Sequence, residues 1–163
     1  ILDVLDSMPE DAGSVVANWR MFGNGGHATK PDGLVIESYL LRTSDDDPVN
    51  THVKAIVKPN RAYCPLGPHS FAIGAGWKCY GEDQVPTDGS AWRTGSTADL
   101  LRCNHYFSRS DAEAIAKVKR GRADTGTYRE IEEFRAPALS AITDPDGEMC
   151  IRRYGPAVRA LMQ

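Results

Sequence analysis

The 163-residue sequence contains no run approaching the roughly 18 apolar residues of a membrane-spanning helix, which excludes a helical transmembrane segment. It has no C-x-x-C pair and no H-x-x-x-H pair, so the usual spacings of a cysteine or helical histidine zinc site are missing. Neither G-x-G-x-x-G nor the P-loop pattern occurs, which leaves a dinucleotide-binding or P-loop kinase reading without support. Positive charge is not in excess: 19 Lys and Arg face 22 Asp and Glu, a net charge of −3, and no nucleic-acid partner is expected. The first residues, Ile1-Leu2-Asp3-Val4-Leu5-Asp6, supply no basic segment followed by an apolar one, so no signal peptide is read there. The chain also opens without Met and is expected to be a piece of a longer protein. Cys64, Cys79, Cys103 and Cys150 are expected to be reduced thiols of a cytoplasmic protein.

What is present is a globular composition, 41% hydrophobic and 25% charged. Ile1 to Met8 reads as helix, stopped by Pro9. Val15 to Trp19 reads as a strand, Phe22 to Gly33 as a glycine-rich loop, and Leu34 to Arg42 as a second strand. Ser44 to Asn50 is a polar turn. His52 to Lys58 alternates, with Val53, Ala55 and Val57 on one face and His52, Lys54 and Lys58 on the other. Another short strand is expected within Tyr63 to Ile73, and a long surface loop over Gly74 to Ser96. Leu100 to Phe107 reads as a buried strand. Ser110-Asp111-Ala112-Glu113 fits a capping box, opening a helix that buries Ile115 and Val118 and closes on Gly121 in the left-handed conformation. A weaker helix is expected over Tyr128 to Ala136, ended by Pro137, and a terminal one over Pro156 to Met162. The whole reads as a mixed α/β fold.

Several residues carry potential chemistry. His105 sits in Asn104-His105-Tyr106-Phe107, between an apolar strand and a capped helix, where the backbone holds a side chain still and an imidazole can ligate a divalent metal. His27 ends the glycine loop, His69 lies in Gly67-Pro68-His69-Ser70-Phe71, and His52 opens the alternating strand. Each histidine taken alone is more often structural than catalytic. Gly23, Gly25 and Gly26 let backbone approach a ligand closely, or simply make a turn. Asp45-Asp46-Asp47 and Asp144-Pro145-Asp146 both contain D-x-D, which can hold Mg²⁺ or Mn²⁺ beside a diphosphate, yet both read better as solvated turns. Glu82 and Asp83 fall in the long loop, where a carboxylate can act as general base toward a sugar hydroxyl.

Taken in order, Trp19-x-x-Phe22-Gly23-Asn24-Gly25-Gly26-His27, Pro31-x-Gly33-Leu34-Val35-Ile36-Glu37, His52-Val53-Lys54-x-Ile56-Val57-Lys58-Pro59, His69-Ser70-Phe71, Asn104-His105-Tyr106-x-x-Arg109-Ser110 and Lys117-x-x-Arg120-Gly121 resemble bacterial glycosyltransferases of the family 2 type. They are similar in motif to the related family 92 enzymes. The resemblance covers roughly Val15 to Arg122. It implies a GT-A fold with a Rossmann-like mixed sheet, a nucleotide-sugar donor, Mn²⁺ or Mg²⁺ on the diphosphate, and sugar transfer to a glycan or other hydroxyl acceptor. In such enzymes the nucleotide-binding half and its D-x-D precede the W-x-x-F-G segment, so the resemblance implies the C-terminal portion of a catalytic domain. Residues 1–122 would be the GT-A-like region and residues 123–163 a helical tail.

The roles carried over are these. His105 would help hold the metal. Lys54, Lys117 and Arg120 would meet diphosphate oxygens, where cations stabilise the leaving group's growing charge. Trp19 and Phe22 would face a sugar ring or base, with Gly23 and Gly25 permitting close approach. His69 and Glu82 or Asp83 would stand near the acceptor. The plain readings beside these are that Lys117 and Arg120 only complement the helix dipole, and that Trp19 is core. A non-catalytic carbohydrate-binding or interaction module derived from the same fold is the alternative. A sheet missing its first strands would leave an open edge, so a homo-oligomer is also expected.

Overall fold

The computed structural model describes residues 1–95, 98–122, 125–135 and 141–161. Its elements in chain order are α1 (Leu2–Asp6), β1 (Ala12–Phe22), α2 (Val35–Ser38), β2 (Leu41–Thr43), β3 (Val53–Val57), β4 (Ala62–Pro65), β5 (Phe71–Ile73), β6 (Lys78–Gly81), β7 (Pro86–Thr87), β8 (Arg102–Tyr106), α3 (Asp111–Arg120), α4 (Ile131–Arg135), β9 (Ala141–Thr143) and α5 (Gly147–Leu161). The fold is mixed α/β. β1 pairs antiparallel with β3 and parallel with β6, so its sheet is mixed. The chain divides into two compact units, each discontinuous in sequence.

The first unit comprises residues 1–20 and 45–104. Its centre is β1, whose side chains are buried along the whole strand. A strand covered on both faces does not need polar alternation, which is why Ala12 to Phe22 reads as a nearly continuous apolar run broken by a few polar residues. On one side β3 pairs with it in the register Ser14 to Val57 through Asn18 to Val53; on the other β6 runs parallel, with Val15 opposite Tyr80. Met8, Ala12, Val15, Ala17, Tyr80 and Leu101 form the core cluster, with Val4 and Leu5 of the α1 segment packed on it. Tyr80 Oη donates to the Asp11 carboxylate at 2.7 Å, giving a polar end to a ring that is otherwise buried. β4 and β5 form a separate hairpin.

The second unit comprises residues 21–44 and 105–163. Here β2 pairs antiparallel with β9, Arg42 lying opposite Ile142. The Arg42 and Asp144 side chains, both buried, pair at 2.9 Å. α5 packs on α2. Residues 123–163, expected as a helical tail, contribute β9 as well as α5 to this unit; within that range 123–124, 136–140 and 162–163 lie outside the described residues.

Several sequence expectations agree with these elements. The strand around Val15 to Trp19, the strand over Val53 to Val57 and the capped helix are all present. The capping box is complete: Ser110 Oγ accepts from Glu113 N, and the Glu113 carboxylate accepts from Ser110 N. Gly121 has φ +74°, on the glycine side of the backbone map, although its ψ of −175° is not that of a left-handed helix cap. The helix turns Ala114, not Ile115, fully inward, and Ile115 is exposed.

Elsewhere the expectations are corrected. Leu34 to Arg42 is not one strand but the short helix α2 followed by β2. Glu37 explains the change, because its carboxylate reaches back to accept the Leu34 N–H and stabilises a turn that alternation alone does not foresee. Gly74 to Ser96 is not all loop, since β6 and β7 lie within it; Ser96 itself is outside the described residues. β8 is half-buried rather than buried. The terminal helix starts at Gly147, well before Pro156, which it carries inside. Of the weaker helix, Ile131 to Arg135 is helical, while Ala136 and Pro137 are outside the described residues, as is Met162.

Candidate functional site

In the first unit the strand alternation of β1 sends Asn18 and Arg20 to one face and Trp19 to the other. Asn18, only 2% exposed, is a polar crossing point. Its Nδ2 donates to the backbone oxygens of Asn50 at 3.1 Å, Thr51 at 3.3 Å and Arg93 at 2.8 Å, tying three stretches of chain together. Two strand positions on, the buried Arg20 guanidinium pairs with Asp45 at 3.1 Å and donates to Trp19 O at 3.0 Å. Arg93 is held by Asp83. Its Nη2 donates to Asp83 Oδ1 at 2.6 Å, and its guanidinium lies over Gly81, where any Cβ would collide with it.

These residues line a cavity of about 770 Å³, together with Asp45, Asp46, Asp47 and Asp99. Asp47 opens the short 3-10 turn Pro48–Thr51, accepting from Val49 N at 2.9 Å. Two buried polar atoms of this wall, Asn18 Oδ1 and Arg93 Nη1, have no hydrogen-bond partner among the described residues. A buried donor or acceptor left unmade costs on the order of 1–3 kcal/mol. Burial pushes the Asp83 carboxyl up, but the Arg93 guanidinium and the Val85 N–H outweigh it and leave it below the ordinary carboxylate range. Asp83 is thus an anionic clamp on Arg93.

The other face of β1 carries Trp19. The His52 ring stacks on it at 4.7 Å between centroids, 16° from coplanar, and the His69 ring lies 5.2 Å away. The two imidazoles are bound differently. His52 has Nδ1 against Val49 O at 3.1 Å, and its Nε2 accepts from Trp92 Nε1 at 3.1 Å, so both ring nitrogens are used. His69 has Nδ1 against Val53 O at 2.7 Å. A ring nitrogen facing a carbonyl oxygen must carry the proton, which puts the lone pair of neutral His69 on Nε2. Lys54 Nζ donates to Pro68 O at 2.6 Å, fixing the residue just before His69.

The remaining sequence candidates have these positions. Glu82 is 2% exposed, and its carboxylate accepts the backbone N–H groups of Asp99 at 3.0 Å, Leu100 at 2.9 Å and Leu101. In the second unit Phe22 is buried with its ring 4.6 Å from Tyr106. Gly23 N donates to Leu41 O, and Gly25 has φ +60°, a conformation that needs glycine. His27 Nε2 lies 2.9 Å from Ser38 O. The His105 ring packs 5.7 Å from that of Phe107. Lys117 Nζ donates to Phe107 O at 2.6 Å beside the Phe107 and Phe134 rings; burial, with the nearby arginines, pulls its ammonium below the ordinary lysine range. Arg120 ends α3 and is exposed.

The structure therefore brings Trp19, Lys54 and His69 together, and pairs Asp83 with Arg93 at the cavity. Among the described residues no group of three or more His, Cys, Asp or Glu side chains is placed to hold a metal ion. The four cysteines are free thiols. No helix among the described residues is long and apolar enough to cross a membrane. Sequence reasoning missed Asn18, Arg20 and Arg93. The available signal was the pair of polar residues two positions apart in a strand otherwise apolar, flanking a tryptophan.

Compared with protein-family models, with curated proteins and with solved structures, the chain matches none of them.

Proposed function

We propose that this chain is the acceptor-side portion of a GT-A-type glycosyltransferase, which moves a sugar from a nucleotide-sugar donor to a hydroxyl of a glycan or similar acceptor. The observation that carries this reading is the anchored His69. The ordered motifs of the sequence supply Trp19, Lys54 and His69, and the first unit gathers them so that His69 Nδ1 is fixed on Val53 O and Nε2 is left basic. An imidazole oriented through one nitrogen and open at the other is the arrangement a general base needs.

In the proposed step the acceptor oxygen attacks the anomeric carbon as His69 Nε2 takes its proton. The bond from that carbon to the diphosphate oxygen breaks, and the nucleoside diphosphate leaves with both electrons. This is a single displacement and inverts the anomeric centre. Trp19 supports the imidazole ring. Asp83 is held below the carboxylate range and clamped on Arg93, which makes it a poor base. Glu82 is engaged by backbone donors. The divalent ion that the sequence resemblance implies is part of the assay and not of this step.

The test is sugar transfer and nucleotide-sugar hydrolysis by the protein of the whole reading frame, across several donors, with and without Mn²⁺. Transfer that falls by about 100-fold in His69→Gln, in line with loss of a general base, supports the reading. No turnover with any donor, with glycan binding retained, replaces it with the binding-module reading.

A further inference from the structure

In the second unit, basic side chains gather around one amine. Lys117 is half-buried on α3. Its Nζ lies 5.2 Å from the centre of the Phe107 ring and 5.6 Å from that of Phe134, two rings stacked 4.6 Å apart. The Arg129 guanidinium stands 5.1 Å and 6.0 Å from the same two centres. Arg120 follows Lys117 by three residues on the helix, which places both on one side of it, and Arg109 precedes the N-cap. Arg109 has Glu113 at 3.4 Å and Arg129 has Glu133 at 3.9 Å. The hydrogen-bond partner of Lys117 is instead a neutral carbonyl, Phe107 O at 2.6 Å.

An ammonium set against aromatic rings and crowded by guanidiniums gives up its proton more readily than one in water. Burial is the largest cause here, followed by Arg109, Arg129 and Arg120, and the opposing pull of Glu113 is smaller than any of these. Lys78 shows the contrary case: it is exposed, pairs with Asp11 at 2.8 Å, and is held above the ordinary lysine range. The bond to Phe107 O uses an N–H of Lys117 and leaves the lone pair of the neutral amine unengaged by it. The arginines stay charged at any physiological pH, so they continue to attract an anion while the lysine acts as a nucleophile.

We infer that Lys117 is a site of reversible imine formation with small aldehydes that carry a phosphate. The Nζ lone pair adds to the aldehyde carbon, the carbonyl oxygen leaves as water with the two amine protons, and a C=N bond remains. The hydrogen bond to Phe107 O is given up in that step. The phosphate lies toward Arg120 and Arg129. Because each charge acts near water, the gain from the phosphate is about fivefold for one charge pair. This reaction is separate from the sugar transfer proposed above and does not depend on it.

The experiment exposes the 163-residue chain at neutral pH to glyceraldehyde 3-phosphate or to glyceraldehyde, each with cyanoborohydride, which delivers hydride to the C=N carbon and fixes the adduct as a secondary amine. Peptide mass spectrometry then reads the labelling rate at every lysine. Lys117 is expected to be labelled ahead of Lys30, Lys54, Lys58, Lys78 and Lys119, and about fivefold faster by the phosphate-bearing aldehyde. In Arg120→Gln/Arg129→Gln, checked for an unchanged far-ultraviolet circular dichroism, the two aldehydes are expected to label Lys117 at the same rate. Labelling spread evenly over the lysines overturns the inference, as does Lys119 reacting ahead of its neighbour. Equal rates for the two aldehydes in the parent chain, or a phosphate advantage that survives loss of both arginines, overturn it as well. The parent-chain comparison stands whether or not the double variant folds.

Discussion

Glu82 separates a catalytic carboxylate from a structural one, and substituting it decides which it is. Its Oε1 accepts from Asp99 N at 3.0 Å, and its Oε2 accepts from Leu100 N at 2.9 Å and from Leu101 N. Three consecutive N–H groups thus converge on one buried carboxylate, which holds the backbone leading into β8. Hydrogen bonds to a charged group each contribute about 1.5–3 kcal/mol, and the three share one anion, so they do not add in full. Glu82→Gln keeps a carbonyl oxygen for the doubly used position but turns an NH2 toward the Asp99 donor. The expected loss is about 2 kcal/mol, and about 3–5 kcal/mol for Glu82→Ala, which strands all three donors. Urea unfolding at neutral pH measures this as a lower midpoint with an unchanged slope. If the proposed transfer activity is present, the residual folded glutamine variant is expected to keep it, since the carboxylate is buried and engaged by three backbone donors. A Glu82→Gln protein with the parent's midpoint and no activity would refute this reasoning and return Glu82 to the role of base.

Three smaller tests follow. Ser110→Ala removes the N-cap of α3 and is expected to cost about 1 kcal/mol by urea unfolding, with Ser110→Gly closer to the parent. Asp83, whose folded-state carboxyl lies below the usual range, stabilises the fold above the unfolded pKa near 4, and that contribution is lost as pH falls through the lower folded value; Asp83→Asn should therefore flatten the acid limb of the urea midpoint between about pH 5 and 2. Gly81→Ala is expected to displace the Arg93 guanidinium, breaking its pair with Asp83, and so to lower the urea midpoint while the far-ultraviolet circular dichroism is retained.

The elements legible in the sequence were those whose cause is local. The Ser110 capping box is a contact between residues three apart, and the period-two pattern over Val53 to Val57 marks a strand, although its burial does not alternate: Val53 is buried and the other four residues are half-buried. What was not legible had a remote cause. Leu34 to Arg42 is apolar enough for a strand, yet Glu37 closes a helical turn on Leu34, and the chain becomes extended again only at Leu41, where β9 pairs with it. β6 is hidden in a stretch rich in Gly, Pro and Asp because its strand character comes from lying beside β1, not from its own composition.

The same distinction governs the site. Histidine motifs stand out in a linear text because their residue type is uncommon, so His69 was found. Its orientation was not legible: it depends on Val53 O, which faces Nδ1. Asn18 and Arg93 are ordinary letters far apart in sequence, and only β1 and the segment after Trp92 make them neighbours. Glu82 and Asp83 show the point most sharply. Adjacent in sequence and equal in chemistry, they are sent in opposite directions by the end of β6, one inward to three backbone donors and the other to the Arg93 guanidinium. Charge type told where a base was possible. Only the hydrogen-bond partners tell which carboxylates are already committed, and in the proposed reaction that commitment leaves proton transfer to the one imidazole of the cluster anchored through a single ring nitrogen.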